Sequence, residues 1–77
     1  MNKARRQQLS KAVEMMDEVI SLIEQIKNDE QEAFDNLPEG IQMSERGEEM
    51  ERYIDTLAEI SESIFDMQDQ ITEIIEN

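Results

Sequence analysis

One short stretch, Asn36-Leu37-Pro38-Glu39-Gly40, constrains the fold of this chain more than any other. It holds the only proline and one of the two glycines, close to the midpoint of 77 residues. Proline lacks an amide hydrogen and pushes the residue before it out of the helical region, so a helix arriving from the N-terminal side must stop by Asn36. Asn36 is suited to cap that helix, and Gly40 is expected to take a positive φ in the turn. Apolar residues recur at three-and-four spacing on both sides of the corner. The pattern predicts an all-α chain, an antiparallel helical hairpin forming a single domain over residues 1–77. Its parts are a helix at 2–36, a corner at 37–43 and a helix at 44–76.

With Leu9 at heptad position a, the first helix carries Leu9, Met16, Ile23, Glu30 and Leu37 at a, and Ala12, Val19, Ile26 and Ala33 at d. Val13, Ile20 and Phe34 stand at e, and Met15 and Leu22 at g, so the apolar face is wider than a two-stranded seam requires. The polar run Asn28-Asp29-Glu30 is a candidate local break. In the second helix Met43, Met50, Leu57, Ile64 and Ile71 take a, and Tyr53, Ile60, Met67 and Ile74 take d. Folding about the corner is expected to pair Ile26 with Ile54, Ile23 with Leu57, Val19 with Ile60, Met16 with Ile64, Val13 with Met67 and Leu9 with Ile71. Leu37, Ile41 and Met43 are expected to plug the corner end. Ser44 is an N-cap candidate, and Gly47 lies just inside the second helix at a cost of ~1 kcal/mol relative to alanine. Glu30 is expected near Arg52 and the Tyr53 hydroxyl. The basic start, Lys3, Arg5, Arg6 and Lys11, is expected beside Asp66, Asp69, Glu73 and Glu76.

A two-helix hairpin hides one stripe of each helix. Val13, Met15, Ile20, Leu22 and Phe34 are expected to stay wet and to drive self-association, at ~1.5–3 kcal/mol for each side chain buried. Repulsion between like charges ~10 Å apart in water is only about 0.4 kcal/mol, so burial wins over the doubled charge. The expectation is a homodimer forming a four-helix bundle, or a larger ring of hairpins.

Charge bounds the function. Twenty acids against seven bases leave a net charge of −13. That disfavours direct binding to nucleic acid or to anionic membranes, and favours a protein partner with a basic surface. No apolar run approaches the ~20 residues of a membrane span, and no apolar segment follows the basic start, so a cytoplasmic protein is expected. With no cysteine or histidine, the chain lacks the usual nucleophile, base and zinc ligand. The expectation is no enzyme, no cofactor and no metal. Acid pairs at i, i+3 (Glu14/Asp17, Glu48/Glu51, Glu59/Glu62, Asp66/Asp69) match the spacing of magnesium ligands in helical pyrophosphohydrolases. They sit mostly on outward positions, where a plain solvated face accounts for them.

Asp55, Glu59, Glu62, Asp66, Asp69, Glu73 and Glu76 form one row opposite the apolar face, and no base occurs from Tyr53 to Asn77. Their ~5 Å steps resemble phosphate spacing along a nucleic-acid strand, a candidate DNA-mimicking surface. The plainer alternative is the solvated back of an acidic coiled coil. Glu30-Gln31-Glu32-Ala33-Phe34-Asp35-Asn36-Leu37-Pro38-Glu39-Gly40, Ser44-Glu45-Arg46-Gly47 and the start Asn2-Lys3-Ala4-Arg5-Arg6 resemble small acidic helical proteins encoded by bacteriophages and prophages of Firmicutes. The resemblance implies an accessory protein that binds and blocks a host defence protein or enzyme in the host cytoplasm. It carries no catalytic residues. Two alternatives stand beside it: a self-assembling bundle with no separate target, and a sponge for a signalling nucleotide held by Arg46, Arg52, Arg5 or Arg6.

Overall fold

The structure, a computed structural model describing all 77 residues, has three helices in chain order. Helix α1 spans Lys3–Asp35, the single turn α2 spans Glu39–Gln42, and α3 spans Glu45–Glu76. The long helices run antiparallel as a rod of 58 × 15 × 12 Å. Helix α1 begins at Asn2, whose side-chain oxygen accepts from the Arg5 amide at 2.9 Å. This satisfies one of the amides that the first turn leaves without a helical partner. The run Asn28-Asp29-Glu30 does not break the helix. None of the three is Pro or Gly, and their modest propensity cost does not outweigh the hydrogen bonds on either side.

The corner is more ordered than a loop. Pro38, at φ −55 and ψ 145, turns the chain into α2, and no residue takes a positive φ, Gly40 included. The reversal is spread over one helical turn between two αR residues, Asn36 and Met43, which removes the need for a left-handed glycine. Gln42 then clamps the corner. Its side-chain amide donates at 3.0 Å to the carbonyl of Phe34, which also accepts from the Leu37 amide, and at 3.4 Å to that of Asp35 at the end of α1. Ser44 holds the N-cap position of α3 without capping through its side chain; the hydroxyl donates back to the Ile41 carbonyl instead. Gly47 is buried against the main chain of Gln42 so closely that a Cβ would overlap its carbonyl. Of the three residues expected to plug this end, Leu37 is half-buried, Ile41 is at the edge, and Met43 points into solvent.

The seam differs from the expected one in rotation and in register. On α1 the seam is lined by Leu9, Val13, Met16, Ile20, Ile23, Lys27, Glu30 and Phe34, and on α3 by Gly47, Met50, Ile54, Leu57, Ser61, Ile64, Gln68, Ile71 and Ile75, with Arg6, Ala12, Glu24, Ala58 and Thr72 half-buried at its edges. The lining residues are the a and e positions of both helices. The expected d positions Val19, Ile26, Tyr53, Ile60, Met67 and Ile74 lie outside. Pairing slides roughly one helical turn further along α3. The Gln68 amide reaches the carbonyl of Val13 at 3.0 Å and the carboxylate of Asp17 at 2.7 Å, and Arg6 donates to the Asn77 main-chain oxygen at 2.8 Å. The d positions are apolar from Ala12 to Ala33 and from Tyr53 to Ile74, whereas e carries Lys27, Ser61 and Gln68, so the apolar pattern alone favours a and d; the close contact of Gly47 with Gln42 at the corner accounts for the observed rotation.

The chosen seam is partly polar. Ile20 is its one buried apolar residue, 6% exposed, whereas Ser61 and Gln68 are buried at 2% and 7%. Gln68 is well bonded, but the Ser61 hydroxyl has no hydrogen-bond partner. A buried unpaired hydroxyl is costly, so Ser61→Ala should stabilise the protein by about 1 kcal/mol in denaturant unfolding. Gly47→Ala should destabilise it by about 1–3 kcal/mol through the clash with Gln42. Gly40→Ala, which meets nothing within 4 Å, should leave stability unchanged or raise it by up to ~1 kcal/mol.

Candidate interaction surfaces

The hairpin presents three distinct long surfaces. The first is the back of α3, set by a period of 3.6 that carries every third or fourth residue to the same side. Asp55, Glu59, Glu62, Asp66, Asp69, Glu73 and Glu76 are all exposed there. None forms an ion pair. The only two in the molecule lie within α1, Lys11–Glu14 at 3.8 Å and Lys27–Glu24 at 2.7 Å. The basic start of α1 meets the end of α3 without pairing with the row: Arg6 donates to the main-chain oxygen of Asn77 and to none of the seven acid side chains. No cluster of three or more acids has the geometry to hold a metal ion.

The other two surfaces are the flanks of the seam. Gln68 of α3 reaches Asp17, the residue following seam residue Met16, which marks the polar flank. Glu24 follows Ile23 on the same side, with Ser61 across from it. Lys27 holds the Glu24 carboxyl below its ordinary range, and the Ser61 hydroxyl beside it acts in the same direction. The opposite flank carries the residues that precede seam positions: Val19, Ile26, Tyr53, Ile60, Met67 and Ile74. In an antiparallel pair these flank residues share one side of the hairpin. Sequence periodicity marked them as apolar but assigned them to the seam.

The five residues expected to stay wet in a lone hairpin divide. Met15 and Leu22 are exposed, whereas Ile20 is buried and Val13 and Phe34 are half-buried in the seam. The rotation of the seam is the reason, because it covers e positions and frees d positions. Glu30 is half-buried and makes no ion pair with Arg52. The Tyr53 hydroxyl donates to Glu49 on its own helix, and Arg52 lies 5.9 Å from the Tyr53 ring centre, within cation–π range. Arg46 is exposed among Glu45, Glu48, Glu49 and Arg52, which line a shallow depression where acids outnumber bases. Arg5, Arg6, Arg46 and Arg52 do not converge: two lie at the open end of the rod and two at the corner end. No helix is long and apolar enough to cross a membrane.

Comparison with protein-family models, with curated proteins and with solved structures finds no match to this chain.

The hydrogen bond to the Glu49 carboxylate, and then that group's charge, raises the Tyr53 phenol above its ordinary value. The folded state therefore holds this proton more tightly than the unfolded chain. Its contribution to stability is complete below the unfolded value of ~10 and is lost as pH rises through the higher native value. Tyr53 is the only tyrosine, so ultraviolet titration should read its midpoint directly, above ~10 in the native protein and lower in Glu49→Gln.

Proposed function

We propose that this protein is a non-enzymatic interaction module whose α3 acid row binds the basic surface of another protein. In its sharper form the row mimics nucleic acid and occupies the groove of a nucleic-acid-binding protein. The resemblance to small phage-encoded proteins supports a host protein, such as a defence protein, as the target and inhibition as the outcome. One observation carries the proposal: seven exposed carboxylates along one face of α3 make no ion pair. Carboxylates that serve only solubility need no such segregation. Here the seven acids hold one edge of α3 for 21 residue steps, roughly 32 Å at helical rise. That is close to one turn of duplex DNA, about 34 Å. A partner's lysines and arginines would gain charge–charge contacts without a competing cation to displace.

Capture from bacterial host lysate tests this when the intact chain is compared with the triple variant Glu62→Lys, Asp66→Lys, Asp69→Lys. The expected result is a basic nucleic-acid-binding protein held by the wild-type chain, released by salt and by competing duplex DNA, and lost in the triple variant. A protein retained equally by the triple variant would end the DNA-mimic proposal.

A further inference from the structure

The apolar flank of the hairpin leaves eight large apolar side chains exposed beside the seam that holds the hairpin together. On α1 it runs through Val19 and Ile26, edged by Met15 and Leu22; on α3 it runs through Tyr53, Ile60, Met67 and Ile74. Each of these side chains is between 39% and 57% exposed. Charge is absent from the middle of this side. The flank and edge positions from Ala12 to Ile26 and from Thr56 to Ile74 contain no Asp, Glu, Lys or Arg, although charged residues make up 35% of the chain. Depletion of charge at the centre of an apolar patch, with polar residues around it, is how protein interfaces differ from ordinary surface.

We propose that this flank is where a second copy of the chain seats, face to face about a two-fold axis, closing a four-helix bundle. Three features select a second copy over another occupant. The hairpin alone buries one apolar side chain and carries Lys27, Glu30, Ser61 and Gln68 in its seam, too little core for a chain of this size. Its missing core must be supplied by something present whenever the chain folds. The whole side, its charged ends included, is 58 by 15 Å and covers on the order of 900 Å², enough for the ~800 Å² per partner of a stable interface around the uncharged middle. The middle of the face is also self-complementary in charge, since an uncharged surface meets its own copy without repulsion. The α3 acid rows stay on the outer surfaces of the bundle. This assembly is independent of what the acid row binds.

Met67 and Phe65 provide an internal comparison, being 52% and 51% exposed on opposite sides of the same helix. The chain has no cysteine, so Met67→Cys and Phe65→Cys each carry a single thiol. Sedimentation equilibrium at micromolar concentration should give the mass of two chains for the wild type and for both variants. Alkylation rates, normalised to those in denaturant, should be ~tenfold slower for the Met67→Cys thiol than for the Phe65→Cys thiol. The difference should vanish on dilution to monomer. Ile60→Glu with Met67→Glu should abolish the two-chain mass, and if that variant unfolds, the labelling pair still decides. Any wild-type mass other than two chains, or equal alkylation of the two thiols, would overturn the proposal.

Discussion

The close approach of Gly47 to the main chain of Gln42 sets everything downstream of the corner. A side chain at Gly47 would force the start of α3 away from α2. Gln42, held at that point, ties the same turn to the end of α1 through the Phe34 and Asp35 carbonyls. Together these contacts fix both the rotation of α3 about its axis and its axial position against α1. In a rod built from two helices there is no third element to correct an error in either quantity. The corner therefore decides which residues meet over the whole length of the molecule.

That rotation has an energetic consequence. Covering the a and e positions places Ser61 and Gln68 in the seam, and leaves a continuous apolar flank outside. Gln68 repairs part of the loss by bonding across the seam to the Val13 carbonyl and to Asp17. Such bonds specify register more than they add stability, because each replaces a bond to water. The hairpin is thus well defined in geometry and poor in core. An outward apolar flank on a rod of this kind is a surface that needs a partner.

Electrostatics acts on a different part of the molecule. Basic residues cluster in the first turns of α1 and near the corner, and acids crowd the back of α3. Both ion pairs are local to α1; the solvated Lys11–Glu14 pair contributes little to stability, and the half-buried Lys27–Glu24 pair sits at the edge of the seam. The α3 acids make no ion pair, so their field extends into solvent over about a Debye length. Assembly through the apolar flank and attraction through the acid row therefore use separate surfaces and can coexist.

Periodicity and backbone chemistry were enough to specify much of this protein. Pro38 stops the first helix, the three-and-four spacing of apolar residues makes both long segments amphipathic, and their similar length folds them back as a pair. The outward placement of the seven acids followed from the same period. Which stripe would form the seam did not follow: the apolar pattern favours a and d, and the structure covers a and e with Lys27, Ser61 and Gln68 inside, because contact at the corner sets a rotation that no local pattern registers. Nor did the one-turn slide of the pairing, since Gly47 and Gln42 show their importance only when α2 brings them into contact. Sequence alone determined that there are two amphipathic rods and a reversal; tertiary contact at the corner decided how they are rotated. That rotation sets which hydrophobic side faces outward, because a helix face is chosen by what it touches.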